Sequence, residues 1–229
     1  MANRLKGLGI ALVVIGIVFV AAGAFAYIKV QDGQASLDKF SAAQNVTLSY
    51  NEDGQLVDRG TTEGAAAIMS LLKDDWGYPV VDSELDPNDP VVNTASEYMY
   101  QMATIAHHVL AGVQKVVVPE TVEYNGVTYE AGTYEVPVDG RYWTGFDRMS
   151  PLDGPAREQA WSGTAHALIA ELGVGTTTAS ALQMGLALAG LFAGIGATLM
   201  LTGVGLVWAT FAETASVRVR REIPAGVEA

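Results

Sequence analysis

Residues 8–28 read LGIALVVIGIVFVAAGAFAYI, and residues 181–212 read ALQMGLALAGLFAGIGATLMLTGVGLVWATFA. Neither stretch holds Asp, Glu, Lys, Arg or His. As helix, about 20 apolar residues cross the ~30 Å hydrocarbon core of a bilayer, so each stretch is long enough to span one. The second exceeds one perpendicular span and is expected to tilt or to project beyond the lipid. The order apolar, polar, apolar predicts a membrane α-helical hairpin of two transmembrane helices carrying a single α+β extracytoplasmic domain. The expected division is a cytoplasmic N-terminus at 1–7, a first span at 8–28 and an external domain at 29–180. A second span at 181–212 and a cytoplasmic tail at 213–229 follow.

Cationic residues set the expected orientation, because cytoplasmic flanks carry an excess of Lys and Arg. Arg4 and Lys6 precede the first stretch, and Arg218, Arg220 and Arg221 follow the second. Both termini are then cytoplasmic, and the chain is a two-pass protein of the cytoplasmic membrane. Trp208 and Phe211 suit the headgroup level. Arg4, Lys6 and the small residues Ala22-Gly23-Ala24 also fit a cleaved signal peptide, but the 8–28 run is longer than the usual 7–15-residue signal core. An uncleaved anchor is the expected reading.

Charge is distributed unevenly. The full chain carries a formal −12, whereas residues 31–180 hold 22 acidic against 7 basic residues. Nucleic acid and anionic lipid surfaces both require clustered Lys and Arg, so no nucleic-acid partner is expected for this domain. There is no cysteine, which excludes disulfides, thiolate metal sites and cysteine nucleophiles together.

Small residues recur inside both apolar stretches. Gly9, Gly16 and Gly23 are seven apart, as are Ala189, Gly196 and Gly203, and Gly190 and Gly194 form a small-xxx-small pair. Lipid tails are as apolar as leucine, so close backbone approach at small residues marks helix–helix interfaces. Glycine is also simply common in membrane helices. The expected partners are the lipid bilayer and either other membrane subunits or this chain itself. The absence of intramembrane charge argues against an ion or proton path.

Between the stretches the signals alternate. Residues 31–45 extend the first helix, and Asp53-Gly54 predicts a tight turn. Residues 62–76 have helical spacing at Ile68, Leu71, Leu72 and Trp76 and stop at Gly77-Tyr78-Pro79. A loop rich in Asp82, Glu84, Asp86 and Asp89 follows. Thr94 and Glu97 fit a capping box for a helix over 95–111, with Tyr98, Met102, Ile105 and Val109 as its apolar stripe and Glu97, Gln101, Thr104 and His108 as a polar one. Strands are expected at 114–118, 122–124, 127–129 and 133–138, with Asn125-Gly126 a strong hairpin signal. Tyr124, Tyr129, Tyr134, Tyr142 and Trp143 make that region aromatic. A last helix is expected at 156–172, capped by Asp153, with Gly173-Val174-Gly175 leading on toward the second apolar stretch.

The chemistry-bearing residues are few. His107, His108 and His166 are the three histidines. One of the first two with His166, plus Glu97 or Glu171, has the composition of a zinc or non-haem iron site. Adjacent helical residues point about 100° apart, so His107 and His108 do not share an ion easily. Ser162, Thr164 and His166 lack the surroundings of a nucleophile elbow. No catalytic residue and no cofactor is expected.

The blocks AIMSLLKDDWGYPVV, LDPNDPVVNTASEYMYQMATIAHHVL, AGTYEVPVDGRYWTGFD and GPAREQAWSGTAHALIAELGVG, with the glycine-rich stretch ending GLVWAT, resemble a family of actinobacterial two-span membrane proteins. Its members often carry the label "aromatic ring-opening dioxygenase". The resemblance covers most of the chain and implies the same two-span layout. It carries no catalytic residue over, because no iron-ligand motif of the soluble extradiol dioxygenases matches this sequence. The expectation is a non-enzymatic accessory, structural or assembly subunit of a cell-envelope or respiratory membrane complex. A His-ligated external metalloenzyme and a ligand-sensing membrane protein are the alternatives.

Overall fold

In the computed structural model, residues 2–222 are described, with side chains over residues 3–211. The side chains of Arg218, Arg220 and Arg221, on which part of the orientation argument rests, lie outside the described residues. Two long helices flank a small α+β region: α1 (Ala2–Gln44) and α5 (Gly163–Glu222). Contacts divide the chain into two units. One comprises the residues up to Ser36 and from Ala181 onward, and the other is Leu37–Ser180.

The first unit is α1 against α5, antiparallel. Large apolar residues dominate its outer surface, among them Leu8, Ile10, Val14 and Phe25 on α1 and Leu191, Leu201 and Val204 on α5.

In the second unit, α1 ends where Asn45 takes a left-handed conformation (φ 51°) and its N–H reaches the Ser41 carbonyl at 2.9 Å, the ordinary αL termination. Thr47 bridges Val91, and the turn before Gln55 closes with Tyr50 opposite Leu56. Helix α2 (Thr62–Ser70) starts on the Thr61 hydroxyl, runs into a π-helical turn over Leu71–Asp75 and stops at Gly77. Ile68 and Leu72 of this segment are completely buried. A single 3₁₀ turn, Asp82–Glu84, interrupts the acidic loop.

Helix α3 (Ala95–Leu110) has the expected capping box, with both of its hydrogen bonds present. Its inward face differs from the expected stripe. Tyr98 is buried as expected, but Met102, Ile105 and Val109 are only partly covered, while Ala103, Ala106 and Leu110 are buried. Small alanines let the neighbouring segments approach closely, and the bulkier residues fall on the flank. Glu97, expected on a polar stripe, is 1 % exposed, with its carboxylate turned back onto the capping box.

Strands β1 (Val113–Val118) and β4 (Gly132–Pro137) pair antiparallel from Val113 opposite Pro137 to Val118 opposite Gly132. Strands β2 (Val122–Tyr124) and β3 (Val127–Tyr129) form a separate hairpin. At its tip Asn125 and Gly126 both have positive φ, 49° and 76°, as a type I′ turn requires. Side chains alternate along a strand, so Val116, Val118, Val136 and Val138 point inward. Val116, Val136 and Val138 share a core with Ala106, Leu110, Phe146 and Trp161.

The last helical segment departs from expectation. Helix α4 spans Asp153–Ala160, and the chain leaves helical geometry at Trp161 (φ −97°, ψ 58°). Asp153 does not cap it; Leu152 holds that position, and the Asp153 carboxylate binds Arg141 instead. Helix α5 then runs without a stop through Gly173 and Gly175. Gly175 serves packing rather than termination: a methyl group there would overlap the Tyr98 ring.

Candidate functional site

The two heptad series of small residues meet. A Cβ added at Gly9 would lie 2.7 Å from the Gly203 carbonyl oxygen and one at Gly23 would lie 2.8 Å from that of Ala189, both closer than real Cβ atoms come. Gly16 and Gly196 oppose each other in the same way. The seam continues at Gly33, where an added methyl would strike Leu182, and at Gly185, where it would strike Val30. Gly190 and Gly194 are not part of it. An added Cβ at either has open space, and both line a shallow apolar depression of about 500 Å³ on the outer face of α5. Residues every seven along a helix lie on one stripe, whereas Gly190 and Gly194 sit a fraction of a turn away from it.

The candidate metal ligands go to separate partners. His108 Nε2 lies 3.0 Å from Asp58 Oδ1. His166 packs against the rings of Trp143 and Trp161 and faces the Ser162 carbonyl. Glu97 accepts hydrogen bonds from the backbone N–H groups of Asn93 and Thr94 and from the Thr94 hydroxyl, at 2.8–3.0 Å. Glu171 accepts from the Gln44 amide. Among the described residues, no three His, Asp or Glu side chains gather where they could hold one ion. Ser162 Oγ accepts the Ala165 N–H at the start of α5, which is a helix-start role.

Burial pushes the Glu97 carboxyl above its ordinary range, against the pull of its three donors. Tyr50 and Tyr100 are each pushed up to about 12, first by burial and then by nearby acidic groups, Glu97 and Asp86 beside Tyr50 and Asp58 beside Tyr100. Their hydroxyls are buried and find no partner among the described residues. Tyr98, by contrast, shares a 2.8 Å hydrogen bond with Ser41.

Aromatic side chains form a connected run that only in part involves the strands. Trp76 Nε1–H donates to the Tyr142 hydroxyl at 2.9 Å. Tyr142 stacks on Trp161, with ring centres 5.9 Å apart, and Trp161 Nε1–H donates to the Arg141 carbonyl. Beyond His166, Trp143 carries the guanidinium groups of Arg157 and Arg148 on its ring, at 4.5 and 4.9 Å. Of the tyrosines expected in the sheet, Tyr129 meets Tyr134 edge-on and Tyr124 donates to Asp147. Spacing alone makes Trp76 and Trp161 helix-face residues. Nothing local in the sequence signals that they bracket Tyr142, because Trp76 and Tyr142 are 66 residues apart.

This run borders a cleft of about 620 Å³ between α2 with its π-helical turn, the C-terminal end of α3 and the chain after β4. Ser70, Asp75, Trp76, His107, Asp139 and Tyr142 are the polar and aromatic residues that line it, and Leu71 and Leu110 supply apolar wall. Asp139 is held at the rim by the Gly112 N–H, at 2.6 Å.

Compared with protein-family models, with curated proteins and with solved structures, the chain shows no match.

Proposed function

We propose that the chain is a two-span protein of the cytoplasmic membrane that mounts an acidic domain on its outer side as a non-enzymatic subunit of a larger membrane assembly. The observation that carries this reading is the split between the two surfaces of the paired helices. Their mutual face is a seam of glycine and alanine, and their outer face is bare hydrocarbon. Only 17 % and 11 % of the most apolar stretches of α1 and α5 are buried, whereas the core helix of a water-soluble protein is mostly covered. Soluble monomers rarely expose apolar patches beyond a few hundred Å².

Other details support it. At about 1.5 Å per residue, residues 8–28 rise about 30 Å, the thickness of the hydrocarbon core. Lys6 lies 5.0 Å over the ring of Phe211, so a cation and an aromatic stand at the same end of the pair, beside the exposed Trp208. That grouping suits a headgroup layer. The engagement of Gly9, Gly16 and Gly23 with the second helix favours an anchor that stays on the chain over a cleaved signal. Gly190 and Gly194, which the seam leaves uncovered, are the small residues available to a partner helix.

The absence of cysteine makes topology directly measurable. Thr144→Cys and Asn3→Cys are compared in intact cells with a membrane-impermeant maleimide. The first should label and the second should not until the cells are opened. Protection of Thr144→Cys, or release of the protein from membranes by carbonate, overturns the placement. In mild detergent the native protein should run with a co-purifying partner. A lone monomer after gentle crosslinking overturns the subunit reading while leaving the topology standing.

A further inference from the structure

The cleft beside Trp76 combines three features that together describe a ligand. Its volume of about 620 Å³ falls within the roughly 300–1,000 Å³ of small-molecule sites. Its acidic lining residues are Asp75 and Asp139, and neither lysine nor arginine lines it. Its rings, Trp76 and Tyr142, are tied to each other by the indole N–H, so the donor of Trp76 is already spent and what the indole offers a ligand is its ring.

Ring faces carry negative quadrupole density and attract cations, most strongly for tryptophan. Two carboxylates at the same cleft add Coulombic attraction, and the surrounding residues 31–180, with 22 acidic against 7 basic residues, raise the local concentration of cations. Leu71 and Leu110 would take up an apolar substituent. An anionic ligand would face like charge on every count. A sugar would want several amide or hydroxyl groups in the lining, where Ser70 already donates to Asp74.

We propose that this cleft binds an organic ammonium ion, a cationic nitrogen carrying an apolar group, with Asp75 and Asp139 opposing the charge and Trp76 and Tyr142 contacting the nitrogen's substituents. The site lies wholly within Leu37–Ser180, so it stands independently of membrane placement and of any partner subunit. His107 also lines the cleft.

The test uses the full chain in detergent micelles with benzyltrimethylammonium as the probe and benzyl alcohol as its uncharged counterpart, read by tryptophan fluorescence and by calorimetry. Saturable binding of the ammonium is expected, with benzyl alcohol at least about tenfold weaker, the factor that corresponds to about 1.4 kcal/mol. The double variant Asp75→Asn, Asp139→Asn should lose about tenfold in affinity with an unchanged circular dichroism spectrum and melting temperature. The Asp139→Asn side chain keeps an oxygen for the Gly112 N–H, so the fold survives the change. Trp76→Phe should abolish most of the fluorescence response and weaken the calorimetric affinity. Equal binding of the alcohol, binding of an oligosaccharide in place of the ammonium, no saturable binding, or an unaltered affinity in the double asparagine variant each overturns the assignment.

Discussion

Gly16 and Gly196 face each other reciprocally: a Cβ on Gly16 would lie 2.7 Å from the Gly196 carbonyl oxygen, and one on Gly196 would lie 2.6 Å from that of Gly16. Backbone meets backbone there, and a side chain has no room without separating the helices. Gly16→Val or Gly196→Val should therefore destabilise the hairpin by roughly 1–3 kcal/mol, the usual range for overpacking. Gly190→Val and Gly194→Val, which enter open space, should leave the hairpin intact and weaken only association with a partner. Resistance to thermal unfolding in detergent, measured alongside the size of the complex, separates the two pairs. Equal thermal losses in all four variants would contradict the seam.

Two carboxyl groups give the α+β domain opposite pH responses. Burial raises the Glu97 pKa above its ordinary 4.5, so the native state binds this proton more readily than the unfolded chain. Its contribution to stability falls as pH rises from 4.5 through the folded value, and returns on acidification. Asp153 is held below its ordinary 3.8, chiefly by its hydrogen bond from Arg141. Its contribution is complete above 3.8 and is lost as pH falls through the folded value. For these two groups taken alone, stability is greatest between the two windows. Glu97→Gln should flatten the decline on the high side, and Asp153→Asn the decline on the low side. A Glu97→Gln profile parallel to the wild type would refute the first assignment.

Arg141 ties three segments together. It binds both Asp153 oxygens, donates to the carbonyls of Pro137 and Gly145, and lies 4.0 Å over the Phe146 ring. Arg141→Ala should cost about 2–3 kcal/mol, because several charge-assisted bonds and a stacked contact go at once. Arg141→Lys should recover little, since an ammonium cannot reproduce the planar fork. Denaturant unfolding of the two variants checks this.

Tyr100 is 3 % exposed, and its hydroxyl and that of Tyr50 have no partner among the described residues. A buried unsatisfied hydroxyl costs about 1–3 kcal/mol, so Tyr100→Phe should leave stability unchanged or raise it by about 1 kcal/mol. Tyr98→Phe should instead be destabilising, because it strips Ser41 of its partner. Paired melting curves decide, and a clear loss in Tyr100→Phe would mean that its hydroxyl is satisfied.

His108, His166 and Glu97 each have their own protein partner, so a chelator should leave the melting temperature of the purified protein unchanged. Stoichiometric zinc or iron, lost in His166→Ala, would promote the metalloenzyme reading instead.

The sequence by itself determined several features that depend on near neighbours along the chain. The two long apolar helices follow from charge-free runs. The capping box at Thr94 and Glu97 follows from two residues three apart, and the hairpin tip from Asn125-Gly126, the pair best suited to positive φ at successive positions. The heptad glycines announced an interface because every seventh residue returns to one helix stripe. The tertiary structure decided which surface those stripes meet, sorting Gly9, Gly16, Gly23, Gly196 and Gly203 into the seam and leaving Gly190 and Gly194 outside it. It also placed Glu97 in the interior, carried α5 through Gly173 and Gly175, and brought Trp76 to Tyr142. Each of these depends on contacts between residues far apart in the chain. Helical periodicity says which residues share a face, but which face is buried, and whether a glycine ends a helix or admits a neighbour, depends on what packs against it.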